Sequence, residues 1–241
     1  MQHLGNTRSA QHADHLLQTP DTFVRTPLPG MRKATAIVHI GPAGGARFTQ
    51  YTAEFEVGGT MEPSSIQRFV YVLEGKLKAG ARSIAAGEYA YFPASSPEVL
   101  SASRAARVAV IEKPYQSLKG AAAPVFITGK ESAIAGQPFM GDDALHVRTL
   151  LPADPAFDLA VNTMTFQPGA TLPMVEIHVM EHGLLMLEGQ GIYRLGEHWY
   201  PVSAGDFIWM GPYCPQWFGA LGKTPAKYLL YKDWNRHPLA G

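Results

Sequence analysis

The sequence predicts an all-β protein made of two copies of one jelly-roll barrel. Three observations predict it. Apolar and polar residues alternate at strand period in many short runs. Gly (24 residues) and Pro (19 residues) break those runs at short intervals, as tight turns require. The second half of the chain repeats motifs of the first, the mark of a duplicated unit.

In chain order, strands are expected at residues 34–40, 47–57, 68–77, 89–92 and 108–112. A looser stretch over 115–141 follows, in which residues 129–135 suggest one short helix. Strands resume at 147–151, 159–166, 183–187, 191–195, 206–210 and 227–232. Each is rich in β-branched or aromatic residues and ends near Gly, Pro or Ser.

Two pairs of motifs carry the repeat. Phe69-Val70-Tyr71-Val72-Leu73-Glu74-Gly75 is an apolar strand ending in Leu-Glu-Gly, and so is Gly183-Leu184-Leu185-Met186-Leu187-Glu188-Gly189. Ala86-Gly87-Glu88-Tyr89 matches Ala204-Gly205-Asp206-Phe207, each followed by three strand residues and a breaker. Two short-stranded antiparallel units of this kind fit a double jelly-roll.

Composition narrows the function. Hydrophobic residues make up 46% and charged residues 17%, so a large core is available and disorder is disfavoured. Lys plus Arg equals Asp plus Glu at 20 each, which argues against nucleic acid as a partner. Cys214 is the only cysteine, so no intramolecular disulfide can form and an intracellular setting fits. No apolar run is long enough for a membrane span, and the polar, His/Gln-rich first 20 residues lack a signal-peptide core.

The chemistry concentrates in Glu176-Ile177-His178-Val179-Met180-Glu181-His182-Gly183, a segment that reads as strand. Glu176, His178 and His182 project from one side of such a strand and make a seat for a divalent cation. Glu181 should point the other way, to the surface or behind the ligands. Cys214 reads as a buried, inert thiol with no base beside it. In the closing strand, alternation puts Tyr228, Leu230 and Lys232 on one face. On the outer face Lys232 is simply solvated; on the inner face it needs an anion. Tyr193, just after the second Leu-Glu-Gly turn, is either a packing aromatic or a residue of the barrel mouth.

These motifs resemble the cupins. The second half reads Gly169, Glu176-x-His178, His182 and Gly189, then Gly205, Gly211, Tyr213 and Gln216. The usual cupin ligands are His, His, Glu and His; Glu176, His178, His182 and Gln216 fill the four slots here. Counting from Gly75 and Gly87, the first half puts Glu62, Ser64, Arg68 and Glu98 in those slots. It has no histidine there, and Arg68 brings a positive charge where a cation would sit. The resemblance therefore implies a bicupin, two double-stranded β-helix barrels. It divides into residues 1–118 (an N-terminal arm and a metal-free barrel), 119–141 (a linker) and 142–241 (a metal-binding barrel).

The run Glu-x-His-x3-His-Gly, the later Gln, and the closing Tyr228-x3-Lys232-Asp233-x-Asn235-Arg236 are similar to the (S)-ureidoglycine aminohydrolase family. That resemblance implies Mn²⁺ held by Glu176, His178, His182 and Gln216, a donor set that also accepts Fe²⁺, Zn²⁺ or Ni²⁺. It implies a small-molecule ureide substrate held by Glu176, Tyr193, Tyr228 and Lys232, with Glu176 and Lys232 catalytic. The implied reaction takes (S)-ureidoglycine and water to (S)-ureidoglycolate and ammonia in the allantoin branch of purine catabolism. It also implies a cytoplasmic homo-oligomer. Two rivals stand beside it: another bicupin enzyme, such as an oxalate-type decarboxylase or a dioxygenase, and a non-enzymatic cupin that binds a metal or a small anion. Oxygen uptake without ammonia marks the first; binding without turnover marks the second.

Overall fold

Apolar runs that alternate in period, or stay apolar on both faces, give strands nearly throughout the computed structural model, which describes residues 6–236. The helical elements among those residues are three-residue 3-10 turns, and no helix is long and apolar enough to cross a membrane. The expected helix over 129–135 is instead the end of strand Ile127–Lys130 followed by the turn Glu131–Ala133. Ladder pairing of Ile127–Lys130 with Glu88–Phe92 overrides the local preference.

Two compact units form. One spans residues 24–134; among the described residues the other joins 135–236 to 6–23. The sequence reading grouped the N-terminal segment with the first barrel. In the structure His15–Gln18 instead pairs antiparallel with Phe207–Met210 and extends the second unit's sheet. That pairing spans nearly the whole chain, and local pattern does not report it.

In the first unit, Gln67–Glu74 lies between Ala106–Lys113 and Glu88–Phe92. Its first six residues are all buried, as an apolar run covered on both faces should be. The long strand Thr49–Met61 pairs with Ala106–Lys113 at one end and Leu100–Ala102 at the other. The interior is closed by Val70, Val72, Phe92, Val108 and Val110.

The second unit repeats the plan. Its large sheet runs His15–Gln18, Phe207–Met210, His182–Glu188, Ala226–Asp233, Leu159–Phe166, Asp142–Thr149 and Gln137–Phe139, with Ala10–Gln11 at the edge. A smaller sheet of His198–Ser203, Gln190–Leu195 and Gln216–Leu221 faces it across a core that includes Phe166, Phe218, Leu184 and Ile208.

The repeated turns are built alike. Gly75 and Gly189 have φ of 76° and 71°, and Gly87 and Gly205 have φ of 76° and 93°. Gly87 N donates to Val72 O and Gly205 N to Met186 O; Ala86 N donates to Gly75 O and Ala204 N to Gly189 O. A Cβ on Gly189 would lie 2.4 Å from Pro225 O and 2.7 Å from Ala226 Cα, so only glycine fits.

Two outcomes follow for stability. Gly189→Ala should destabilise the protein by more than about 3 kcal/mol, because strain and a backbone clash add. Gly58→Ala, at φ of 76° with nothing within 4 Å of the added carbon, should cost about 1 kcal/mol. Denaturant titration of both variants checks the difference. In the first unit, His39 is buried, contacts Thr52 Oγ1 at 2.8 Å, and burial pushes its imidazole down to about 3. The unfolded chain binds a proton there near pH 6.5 and the folded chain does not. Stability from this site is therefore complete above pH 6.5 and is lost as pH falls toward 3, by up to about 1.4 kcal/mol per pH unit. His39→Gln should flatten the pH dependence of the unfolding midpoint between pH 6 and 4.

Candidate active site

The segment carrying Glu176 and His178 was expected to be a strand and is not. From 173 to 181 it is irregular, pinned by one isolated bridge between Glu176 and Gln216. Glu176 N donates to Gln216 O at 2.8 Å, and Gln216 N to Glu176 O at 2.9 Å. That double bond sets the two side chains directly opposite each other. Tyr213 N donates to His178 O at 2.7 Å and holds the next part of the loop. Tyr213 has φ of 64°, rare for a bulky aromatic. His182 is the first residue of the regular strand His182–Glu188.

Three strands of the large sheet position His182, Tyr228 and Lys232. His182 pairs with Lys232, and Lys232 with Ala160; Met186 pairs with Tyr228, and Tyr228 with Met164. Side chains of His182, Tyr228, Leu230 and Lys232 face inward and line one cavity of about 480 Å³, together with Glu176, His178, Tyr193 and Gln216. Lys232 thus lies on the inner face.

Inside the cavity, Glu176 Oε2 and His178 Nε2 are 3.2 Å apart, and the His178 and His182 ring centroids are 4.9 Å apart. Tyr193 is buried and its hydroxyl donates to Gln216 Oε1 at 3.1 Å. Tyr228 Oη contacts Met164 Sδ at 3.3 Å. The Lys232 ammonium lies 4.4 Å from the centre of the Trp234 ring.

Burial dominates the electrostatics. It pushes the His182 imidazole down to about 3, with His178 and Lys232 adding to the effect, so this ring is neutral and keeps a lone pair. Burial raises both Tyr193 and Tyr228, which remain hydroxyl donors. Burial also lowers Lys232, opposed by the negative charge of Glu176. An anion beside Lys232 would oppose it further.

The donors fit a divalent metal cofactor. Two imidazoles, a carboxylate and an amide oxygen form a mixed nitrogen–oxygen set. The Tyr193 bond occupies one lone pair of Gln216 Oε1 and leaves the second for an ion.

A model for a cupin domain matches residues 162–231. The (S)-ureidoglycine aminohydrolase of Arabidopsis thaliana is 41% identical over 98% of this chain and 80% of its own length. The chain belongs to the (S)-ureidoglycine aminohydrolase family. The enzyme of that name from Escherichia coli K12 is 31% identical over 97% of this chain and 93% of its own. The crystal structure of a putative glyoxylate-induced protein from Pseudomonas aeruginosa superposes with a TM-score of 0.89. It is 28% identical, covering 98% of this chain and 94% of that one.

In this member of the (S)-ureidoglycine aminohydrolase family, the first barrel's matching stations are filled. Arg68 is buried, bonds Glu112 Oε1 through Nε at 2.7 Å and donates from Nη1 to Glu62 O at 3.0 Å. The void bordered by Ser64, Arg68 and Glu98 is about 10 Å³. An arginine–glutamate pair thus stands where the second barrel has His182 and Lys232.

Glu181 points away from the cavity as expected and takes the second of its two expected places, buried behind the ligands, where its Oε2 accepts from Trp209 Nε1 at 2.9 Å. One expectation needs correction. Cys214 is buried as expected, but it is not without polar company. Asp14, His15 and Cys214 offer donor atoms all within 4.8 Å of one another, a second group able to hold a metal. His15 Nδ1 meets Asp14 Oδ1 at 2.8 Å and its Nε2 meets Tyr200 Oη at 2.9 Å. Burial, then Asp14, pushes the thiol up to about 12, so it is protonated. The polar, histidine-containing N-terminal stretch was the available signal; its pairing partner was not.

Tyr193→Phe should leave the fold intact and weaken divalent-metal affinity about tenfold, since the hydrogen bond that orients a ligand is lost. Metal titration of the metal-stripped protein, with circular dichroism as the fold control, checks this.

Proposed function

We propose that this chain hydrolyses (S)-ureidoglycine to (S)-ureidoglycolate and ammonia, with a divalent metal ion held by Glu176, His178, His182 and Gln216. Family membership supports the reaction. Lys232 carries the substrate assignment: its half-buried ammonium faces the donor-lined cavity directly across the ladder from His182. A lysine in that position needs an anionic guest.

The substrate presents a carboxylate, an amine and a ureido group on one carbon. Lys232 pairs with the carboxylate, and the Tyr228 hydroxyl donates to it. Tyr193 holds Gln216 and closes the wall beside the substrate. A bound divalent cation supplies Lewis acidity and fixes which face of the carbon is attacked. In the hydrolysis, water forms the new C–O bond and the C–N bond to the amino group breaks. Glu176 takes the proton released by water at a carboxylate oxygen and returns it to the departing amine, which leaves as ammonia. The ureido group is untouched.

The nitrogen–oxygen donor set suits Mn²⁺. We read the chain as a cytoplasmic homo-oligomer with no nucleic-acid or membrane partner. The family resemblance, the even charge balance and the single cysteine support that reading.

Purified protein loaded with Mn²⁺ should release ammonia from freshly generated ureidoglycine well above the spontaneous rate. Glu176→Gln should lower that release at least about 100-fold, in the range of lost acid–base catalysis. Stripping the metal with a chelator should abolish it, and adding Mn²⁺ back should restore it. Near-normal turnover by Glu176→Gln would remove Glu176 from the mechanism. Oxygen uptake without ammonia would favour a dioxygenase.

A further inference from the structure

One cavity-lining polar group has no task in the chemistry above. Asn162 lies in the middle of strand Leu159–Phe166, within the apolar run Leu-Ala-Val-Asn-Thr-Met-Thr-Phe. It is 8% exposed, it borders the cavity, and its Oδ1 is buried without a hydrogen-bond partner. Leaving a buried carbonyl oxygen unpaired costs about 1–3 kcal/mol. Gln50 of the first barrel bears the same cost at both side-chain atoms; Asn162 differs in bordering a cavity that a ligand can enter.

The ladder places Asn162 beside the residues assigned to the substrate. Asn162 pairs with Leu230, while Ala160 pairs with Lys232 and Met164 with Tyr228. Asn162 is therefore the diagonal neighbour of both Lys232 and Tyr228, within reach of one small ligand.

The repeat supplies an internal control. In the first barrel Tyr51 pairs with Val110, as Asn162 pairs with Leu230 here, and Ala53 pairs with Val108, as Met164 pairs with Tyr228. Tyr51 is 1% exposed, belongs to the apolar core, and directs its hydroxyl at Met61 Sδ. The fold thus accepts a packing aromatic at this station. The barrel with a cavity has a carboxamide there instead.

We propose that Asn162 recognises the ureido group of the substrate. A carboxamide presents one carbonyl acceptor and an NH₂ donor side by side. A ureido group presents the complement: N–H donors flanking a carbonyl. With its carboxamide turned about χ2 toward the cavity, Asn162 Oδ1 accepts from a ureido N–H, and Nδ2 donates to the ureido oxygen. Lys232 holds the carboxylate end, so the two residues fix the ligand at both ends and leave the amine free to depart. This inference rests on the ureidoglycine reading for the identity of the ligand.

The test uses two stable ligands that share a carboxylate and a carbonyl. N-carbamoylglycine has a terminal NH₂; N-acetylglycine has a methyl in its place. Calorimetric titration of the Mn²⁺-loaded full chain should show N-carbamoylglycine binding at least about tenfold tighter, the scale of one paired buried polar group. In Asn162→Leu that preference should collapse to within about twofold, with N-acetylglycine also weakened because its carbonyl loses the Nδ2 donor. Asn162→Ser serves if the leucine variant melts early. Preference retained in these variants overturns the proposal, as does equal binding, or none, by the parent protein. Parent protein that prefers N-carbamoylglycine yet releases no ammonia from ureidoglycine would sink the hydrolase reading and leave Asn162 standing. Ammonia release with an Asn162-independent preference would do the reverse.

Discussion

The site depends on the register of three antiparallel strands. Leu159–Phe166, Ala226–Asp233 and His182–Glu188 align so that Ala160, Lys232 and His182 form one row, Asn162, Leu230 and Leu184 the next, and Met164, Tyr228 and Met186 the third. Side chains in a strand alternate with period two. A slip of one residue would turn His182, Lys232, Tyr228 and Asn162 out of the barrel together. What holds the register is apolar: Leu184, Met186, Phe166 and Leu230 belong to one buried cluster and cannot be exposed without losing it. The hydrophobic effect, which has no direction, thereby fixes the direction of the polar groups these three strands send into the cavity.

That arrangement carries an electrostatic debt. His182 is buried and neutral, and Lys232 is lowered by the same desolvation, with Glu176 as its counterweight. The first barrel resolves an equivalent problem internally. Arg68 and Glu112 neutralise each other at 2.7 Å and leave almost no void. The second barrel keeps its charges apart, surrounds them with hydroxyls and a carboxamide, and keeps a cavity of about 480 Å³. One duplicated frame thus gives a barrel whose matching stations pair with each other and a barrel that keeps a cavity lined by its polar groups.

Much of this was legible in the chain. The strands and the duplication follow from period-two patterning and two repeated turns, because those signals are local; the four proposed donors come from their slots in a cupin-like motif, not from strand period, since the segment 173–181 is irregular. Face assignment was legible only in part. Tyr228, Leu230 and Lys232 share a face by alternation, but whether that face is inward depends on neighbours far away in sequence. Glu176 and Gln216 meet through one bridge that closes a long loop, and no local pattern reports it. Asn162 was illegible for the same reason. One asparagine in an apolar strand carries no signal until the opposing strands say which way it points.

The N-terminal arm shows how far such non-local constraints reach. Asp14 O accepts from Gly211 N, at the start of the loop that ends in Gln216. His15, stacked on His12 at 4.5 Å, bonds Tyr200 of the small sheet, and Cys214 packs against the same group. The thiol is held protonated, the imidazole is lowered by burial, and the Asp14 carboxyl, against its own desolvation, is lowered by its bond to His15, so the group acts in the folded protein as a hydrogen-bonded clasp around one carboxylate. The loop it grips runs from Gly211 to Gln216 and includes Tyr213, whose positive φ would otherwise favour another conformation. Strain in that loop is balanced by contacts with a segment drawn from the opposite end of the chain. The amide of Gln216 is then fixed twice: by its backbone bridge to Glu176 and by the Tyr193 hydroxyl. A weak ligand such as an amide oxygen contributes most when it is already held where the ion will be, because ordering it costs nothing at the moment of binding.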